Sequence, residues 1–236
     1  MNNKLRFIPA ILLLIFVTFA MQAHALNVSK WRYRMTVNIE TPEGIKSGSA
    51  VREVSAAQGI HLFPEMGPAI GVSGEAVVVD LGKYGVVFAT LTGAIHGPDY
   101  GSDIIFNVLP VTKETRSGLD RIPPKGAIMP LSPDQYPVFA RFTDLNDPTT
   151  VEDVTKYEKH PDGLHYALKG YLFGDGIHLK NVTLEMTDDP MSEWKLQNWL
   201  PWIHEKKIRS KGALPSRHFN TGDFIRGANL KSKGLK

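Results

Sequence analysis

The chain has 236 residues and no cysteine, which excludes disulfides, thiolate metal sites and a lipid anchor attached through a cysteine thioether. Its 42% hydrophobic and 9% aromatic residues argue against intrinsic disorder. The net charge of +3 is unevenly distributed, because residues 205–236 carry nine basic and two acidic residues, whereas residues 26–204 carry 16 basic and 22 acidic residues. We therefore expect an acidic body and a basic C-terminal segment.

The first 25 residues have the three zones of a secretory signal peptide. Lys4 and Arg6 precede an apolar run of 15 residues over 7–21, and Ala23 and Ala25 are the small residues that signal peptidase requires. As a helix this run would reach about 22 Å, whereas a membrane core is about 30 Å thick. We predict a cleaved signal peptide at 1–25 and an exported, periplasmic protein. An uncleaved inner-membrane anchor is the alternative.

Two hairpins are predicted in the first half of the chain. Residues 31–40 alternate apolar and polar side chains without interruption, which predicts a strand with one buried face. The sequence Thr-Pro-Glu-Gly at 41–44 predicts a turn, and residues 47–54 would return as the second strand. Residues 75–81 and 85–91 form the other hairpin. Their valine-rich runs are apolar on both faces, which indicates a central position between another sheet and a covering loop.

The middle of the chain combines a long loop with further strand candidates. Residues 104–108 are predicted to form a short strand, and residues 110–137, with six prolines, a loop. Within that loop, the order Ser-Pro-Asp-Gln at 132–135 predicts the start of a helix. The last clear strands are predicted over 138–142 and 179–187.

An acidic corner follows each of these last two strands. Asp147 precedes Pro148, and Asp188 and Asp189 precede Pro190, so each corner is predicted to cap a helix. Strands joined by tight turns outnumber helices. The sequence therefore predicts an all-β or β-dominated fold, an antiparallel sandwich or open barrel with small peripheral helices.

The domain boundaries follow the hydrophobic pattern. A single β-rich domain is expected over residues 26–204. Beyond residue 204 the apolar periodicity fades, so residues 205–236 are predicted to form a basic, partly disordered tail.

The acidic corners are candidates for a cation site, since hard cations take clustered carboxylate and amide oxygens. The residues concerned are Asp144, Asn146, Asp147, Asp188 and Asp189. Such a site would require the two corners to meet in space. Helix capping and Asx turns are the competing interpretation. The spacing favours capping, because the sixth position of a calcium loop is glycine and Thr149 occupies it here.

Histidine offers a second metal hypothesis. His160, Asp162, His165, Asp175 and His178 lie within 19 positions and contain the ligand types of a zinc site. Each aspartate is followed by glycine, however, and Asp-Gly is a hairpin turn signature. The sequence therefore predicts turns here, no metal site and no cofactor.

Catalytic signatures are missing from the sequence. It contains no Gly-x-Ser-x-Gly elbow, no cysteine nucleophile and no glycine-rich phosphate loop. A hydrolase would need carboxylates such as Glu75, Asp80, Asp144 and Asp188 to converge in a cleft. No catalytic residue is assigned.

The basic tail is the most prominent charged feature, and Lys206, Lys207, Arg209 and Lys211 lie at its start. These cations could contact an anionic envelope component, such as lipid headgroups or lipopolysaccharide phosphates, or a protein partner. A contact with the membrane would be made by this tail or by the N-terminal segment. A nucleic-acid partner is not expected, because the protein is predicted to lie outside the cytoplasm.

Six sequence blocks resemble a group of exported proteobacterial proteins for which no activity is known. The blocks are WRYRMTV at 31–37, ETPEG at 40–44, SGS at 47–49, GEAVVVDL at 74–81, FTDLNDP at 142–148 and LEMTDDP at 184–190. The resemblance covers most of residues 30–203. It implies that these blocks belong to one domain and that the host is Gram-negative.

These features together predict an exported β-rich binding or scaffold domain of the cell envelope rather than an enzyme. Two alternatives remain open. One is an envelope-acting hydrolase that uses carboxylates, and the other is a metal-binding periplasmic protein.

Overall fold

The computed structural model describes residues 27–58, 69–95, 97–110, 121–159, 161, 166–193, 195–205, 208–211 and 218–227. The chain divides into two units, one of residues 1–29 and 55–70 and the other of residues 30–54 and 71–236. In the first unit the described residues are strand ends, and the second unit contains both hydrophobic clusters. The predicted signal peptide lies outside the described residues. No helix that these residues form is long and apolar enough to cross a membrane.

The described residues form strands, two short α-helices and several 3-10 helices. The strands are β1 Asn27–Thr41, β2 Gly44–Gln58, β3 Ala69–Glu75, β4 Val77–Asp80, β5 Val86–Gly93, β6 Ile128–Pro130, β7 Pro137–Phe142, β8 Val151–Asp153, β9 Thr155–Lys159, β10 Tyr166–Tyr171, β11 His178–Met186, β12 Arg209–Lys211, β13 His218–Asn220 and β14 Ile225–Arg226. The helices are α1 Tyr100–Asn107, α2 Thr221–Phe224 and 3-10 helices at Gly82–Tyr84, Pro133–Gln135, Pro148–Thr150 and Leu196–Asn198.

The strands pair antiparallel in open sheets, which confirms the predicted β-dominated fold with small helices. One sheet has six strands in the order β14-β3-β2-β1-β11-β6, and another has four in the order β4-β5-β7-β8. Two smaller sheets are the hairpins β9–β10 and β12–β13. Among the described residues no sheet closes into a barrel, so the arrangement is that of a sandwich.

The alternation of β1 determines which face of the six-stranded sheet is buried. Four of its apolar residues are fully buried, and they are Tyr33, Met35, Val37 and Ile39. In the register with β11, Met35 stands opposite Leu184 and Val37 opposite Val182, so both strands present apolar side chains to the same core. The predicted turn follows at once: β1 ends at Thr41 and β2 begins at Gly44, whose φ of 109° suits glycine.

The four-stranded sheet is buried on both faces, as the valine-rich runs predict. From β5, Val87, Ala89 and Leu91 pack into the cluster shared with the six-stranded sheet. Phe88 points the other way, where its ring meets Phe142 edge-on at 5.5 Å between centroids. The predicted central position of this hairpin is therefore confirmed.

Two residues of β2 set the contact between the large sheets. A Cβ atom on Gly48 would lie 1.9 Å from the carbonyl oxygen of Val78 in β4, so only glycine permits this approach. Arg52 is fully buried between the sheets. Its Nε donates to Glu75 O at 3.1 Å and its Nη2 donates to Ala89 O at 3.1 Å. Arg52 thereby links β2 to β5 of the other sheet.

The outer face of the four-stranded sheet is covered by residues from the C-terminal part of the chain. Ile208, Phe219, Phe224 and Ile225 are buried in the second hydrophobic cluster. The core therefore continues past residue 204, where the sequence analysis ended the β-rich domain. The apolar residues of this cover are widely spaced among polar ones, apart from the adjacent Phe224 and Ile225, and follow no period, so the hydrophobic pattern does not reveal them.

The segment predicted as a strand at 104–108 is helical, which corrects that prediction. Helix α1 buries Tyr100, Ile104 and Ile105 against the core. A short apolar run such as Ile-Ile-Phe has no period that separates a strand from a buried helix. Gly101 brings α1 close to β5, since a Cβ there would lie 3.1 Å from Leu91 O.

Candidate functional site

The polar positions of β1 lie on the face of the six-stranded sheet opposite the core, and they carry an ion-pair network. Lys30 Nζ lies 2.7 Å and Arg32 Nε 2.8 Å from the carboxylate oxygens of Glu53 in β2. Arg34 lies 2.7 Å from Glu185, its cross-strand neighbour in β11. These pairs connect three adjacent strands, β2, β1 and β11, across their outer face.

The acidic corner after β11 joins the same network. Asp189 pairs with Arg34, and Asp188 pairs with Lys125 from the loop before β6. No helix begins at Pro190, so the prediction that this corner caps a helix is wrong. The carboxylates are held by cations rather than by backbone N–H groups at a helix start.

The segment after the corner is fixed to the sheet by hydrogen bonds. Thr187 N donates to Arg32 O at 3.0 Å. Further on, Ser192 N donates to Val51 O at 3.0 Å, and Val51 N donates back to Ser192 Oγ at 2.9 Å. These bonds hold residues 187–192 beside β1 and β2 and so form one wall of a groove.

Two cavities flank the network, and we call them together the charged groove. The larger has a volume of about 850 Å³ and lies between β1, β2 and residues 189–193 and 195. The smaller, of about 330 Å³, has apolar wall residues Trp31, Ile122 and Met186. The side chains common to both cavities are Lys30, Arg32 and Glu53.

Positive and negative groups are balanced in the charged groove. Five cations and five carboxylates line it or pair within it: Lys30, Arg32, Arg34, Lys125, Lys195, Glu53, Glu185, Asp188, Asp189 and Glu193. The hydrogen bond from Lys30, helped by Arg32, holds the pKa of Glu53 below its ordinary value against the opposing effect of partial burial. The groove therefore presents fixed charges of both signs and no net charge.

The other acidic corner, after β7, behaves as the capping interpretation predicts. Asp147 accepts a hydrogen bond of 2.8 Å from Thr149 N at the start of the 3-10 helix Pro148–Thr150. Asp144 accepts one of 2.9 Å from Asn146 N. Trp202 Nε1 donates to Leu145 O at 2.7 Å and so fixes this corner to the second hydrophobic cluster, in which Trp202 is buried.

The structure does not join the two corners in one cation site. Within the described ranges, no three His, Asp or Glu side chains are grouped as a metal ion would require. Asp175 and His178 are described, whereas His160, Asp162 and His165 lie outside the described residues.

The carboxylates of the hydrolase hypothesis have separate surroundings. Glu75 is buried and accepts from Leu196 N at 3.0 Å. Asp80 accepts from Gly82 N at 2.8 Å in the turn between β4 and β5. Asp144 and Asp188 lie at the two corners already described, where Asp144 accepts from Asn146 N and Asp188 pairs with Lys125.

The tail cations are only partly described. Arg209 and Lys211 belong to β12, which pairs with β13. Lys206 and Lys207 lie outside the described residues. The prediction that these four residues contact an anionic partner stays a prediction.

Sequence reasoning found Asp188 and Asp189 but missed the cations that hold them. Arg32 and Arg34 stand on the polar face of an alternating strand, so their outward direction could be read from the sequence. The partners of Arg34 could not, because Glu185 and Asp189 are more than 150 residues away along the chain.

Comparison of the chain with models of known protein families, with curated proteins and with solved structures gives no match.

Proposed function

We propose that this chain is an exported β-rich binding domain of the cell envelope and that the charged groove contacts a protein partner. The observation that carries the proposal is the concentration of ion pairs on one outer face of the six-stranded sheet, beside cavities of about 850 and 330 Å³. Charged groups arranged in this way provide specificity and steer association more than they add affinity.

The contribution of these ion pairs to folding stability does not explain why so many of them lie on one face of the sheet. Exposed ion pairs contribute roughly 0–1 kcal/mol each to folding. Arg34 and Asp189 retain side-chain exposures of 29% and 53%, so solvent can reach the pair and a partner can replace solvent there. A face with several fixed charges is therefore better explained by contact with another charged surface.

The balance of charge favours a protein over an anionic lipid. A site for phosphates would present an excess of cations, whereas here each of Lys30, Arg32 and Arg34 already has a carboxylate within the groove. A protein surface with charges of both signs complements this pattern. The separate surroundings of Glu75, Asp80, Asp144 and Asp188 give the carboxylate-hydrolase alternative no support.

The first test concerns export. The full chain is produced in a Gram-negative host, and the periplasmic fraction is examined by N-terminal sequencing. The proposal expects a mature protein that begins at Leu26. An intact Met1 in a membrane fraction would show an anchored domain, and protein confined to the cytoplasm would overturn the proposed export.

The second test concerns the partner. Purified protein is sedimented with washed envelopes, with protease-treated envelopes and with vesicles of lipids extracted from those envelopes, each over a range of salt concentrations. A protein partner predicts salt-sensitive binding to untreated envelopes and its loss after protease treatment. Equal binding to the lipid vesicles would overturn the assignment of a protein partner.

A matched variant separates the tail from the groove in this experiment. Replacing Lys206, Lys207, Arg209 and Lys211 by glutamine removes four positive charges and leaves the groove residues unchanged. If the groove makes the contact, this variant sediments with untreated envelopes as the wild type does. Loss of binding would assign the contact to the tail instead.

A further inference from the structure

Strand β6 (Ile128–Pro130) forms an open edge of the six-stranded sheet, since it pairs with β11 and no strand of the described residues lies on its other side. Just beyond its ends, Leu131 N donates to Val182 O at 2.9 Å, and Ala127 O accepts from the last residue of β11 at 3.3 Å. Residues that exchange such bonds alternate along an antiparallel pair. Ile128 therefore directs its main-chain N–H and C=O away from β11, toward the open edge.

Strand β6 carries no charged side chain, unlike two other edge strands of the described sheets. The edge strands β8 and β14 contain Glu152 and Arg226, and charges on an edge strand discourage pairing with another chain. The sequence of β6 is Ile-Met-Pro, and the side chain of Ile128 is 66% exposed. Pro130 contributes an outward carbonyl oxygen but no donor, so Ile128 holds the outward N–H group of this strand.

The open edge is continuous with the charged groove. In the registers of the sheet, Ile128 stands opposite Glu185, and Glu185 stands opposite Arg34. The side chains of these three residues therefore lie in one row on the outer face, across β6, β11 and β1. The segment that leads into β6 also supplies Ile122 and Lys125 to the smaller cavity.

We propose that the protein partner adds an extended segment to β6, as a further strand of the six-stranded sheet. This inference rests on the proposed function, and it specifies the form in which the partner contacts the groove. An N–H and a C=O that face outward from one edge residue are complementary to the main chain of another strand. The partner residue opposite Ile128 should be apolar, since it would stand beside the exposed side chain of Ile128.

The test is the salt-dependent sedimentation of the purified full chain with washed envelopes. Ile128→Pro removes the outward N–H but breaks no hydrogen bond to β11, and Ile128→Val, which keeps the N–H, is its matched control. Ile128→Lys places a charge on the open edge. Leu172→Lys is the control for that charge, because Leu172 is 55% exposed and follows β10, outside the groove.

Binding to envelopes should weaken at least about tenfold, or about 1.4 kcal/mol, in Ile128→Pro and in Ile128→Lys. Ile128→Val and Leu172→Lys should bind as the wild type does. Mass-spectrometric hydrogen exchange tests the main chain without any substitution. The peptide that contains Ile128 should exchange more slowly when the wild type is bound to envelopes, because a strand on the open edge protects that amide.

Each of three results would overturn this inference alone. They are wild-type binding by Ile128→Pro, a loss of binding in Leu172→Lys as large as that in Ile128→Lys, and unchanged hydrogen exchange at Ile128 in the bound protein. A wild type that sediments as a dimer without envelopes, together with a monomeric Ile128→Lys, would assign the edge to a second copy of this chain instead. A wild type that does not bind envelopes would overturn the proposed function itself, so the two failures are distinguishable.

Discussion

Arg52 has the largest side chain among the fully buried residues described, and the acceptors recorded for it are carbonyl oxygens and a sulfur atom. Its Nη2 donates to both Ala89 O at 3.1 Å and Thr90 O at 3.2 Å. The planar guanidinium group has the several donors needed to reach three carbonyls on two strands at once. Arg52 therefore satisfies main-chain acceptors that would otherwise face an apolar core.

The first prediction concerns this residue. Arg52→Met keeps the length of the side chain but leaves three buried carbonyls without their donor, at about 1–3 kcal/mol for each buried unsatisfied group. We expect the free energy of unfolding to fall by about 3 kcal/mol or more, measured by urea denaturation. Arg141→Met, at an arginine with 44% side-chain exposure, should change it by less than about 0.5 kcal/mol. Similar effects at the two positions would contradict the account.

The second prediction concerns Glu53 and pH. The pKa of Glu53 is lower in the folded protein than its ordinary value of 4.5, chiefly because of the hydrogen bond from Lys30. The stabilisation from the ionised carboxylate is therefore complete above about pH 4.5 and is lost as pH falls through the folded-state pKa. The free energy of unfolding of Glu53→Gln should be lower than that of the wild type at about pH 7, and this difference should vanish by about pH 3 in urea titrations. A difference that stays constant over this range would count against the ion pair.

At the scale of the element, Gly48 shows how one residue positions a strand. Its place between Ser47 and Ser49 looks like an ordinary polar strand start, but a Cβ there would overlap the backbone of Val78. Because the obstacle is main chain, it cannot rotate away. The requirement for glycine comes from the neighbouring sheet.

The third prediction follows from this contact. Gly48→Ala should lower the free energy of unfolding by about 3 kcal/mol, since β2 and β4 must separate to admit the methyl group. Ser49→Ala, at the next and exposed position, should have little effect. Equal stability of the Gly48→Ala protein and the wild type would show that the sheets do not approach as described.

Elements with a clear period could be predicted from the sequence, and short apolar runs could not. Strand β1 alternates over ten residues, and its buried and exposed faces follow directly. Helix α1 was predicted as a strand, because Ile104, Ile105 and Phe106 fit both a buried strand and a buried helix. The conformation of this segment depends on its packing against β5, and the local sequence carries no information about that contact.

The same distinction applies to the candidate sites. Asp147 makes a local contact with Thr149, so its capping role could be predicted from the neighbouring residues. Asp189 has the same sequence context but pairs with Arg34, 155 residues away. Long-range pairing of this kind is a property of the sheet order, and the charged groove follows from it.

At the scale of the whole molecule, the C-terminal cover completes the core. Ile208, Phe219 and Phe224 bury apolar side chains that contribute about 1.5–3 kcal/mol each. Their sum approaches the total stability of a domain, which is about 5–15 kcal/mol. The cover is therefore part of the fold, although a scattered apolar pattern gives no sign of it in the sequence.

The fourth prediction tests this role. A chain that ends after residue 204 should lose its cooperative unfolding transition, followed by circular dichroism during heating. The full chain with Lys206, Lys207, Arg209 and Lys211 replaced by glutamine keeps the buried apolar residues and should unfold cooperatively. A truncated chain that melts as the wild type does would refute the role of the cover.

The central claim is that the charged groove makes the envelope contact, and two charge exchanges test it most directly. Arg34 and Glu185 are cross-strand neighbours in the groove, and Arg141 and Glu152 are cross-strand neighbours in the four-stranded sheet. Exchanging the two residues of either pair retains a cross-strand ion pair and the net charge. Only the first exchange alters the groove, where it also places a carboxylate beside Asp189, the second partner of Arg34. Both exchanged proteins should therefore fold.

The decisive measurement is salt-dependent sedimentation of these two proteins with washed envelopes. The account predicts that Arg34→Glu with Glu185→Arg loses binding by tenfold or more, as buried or semi-buried interfacial charges do, whereas Arg141→Glu with Glu152→Arg binds as the wild type does. Wild-type binding by a folded protein with the exchanged groove pair would contradict it.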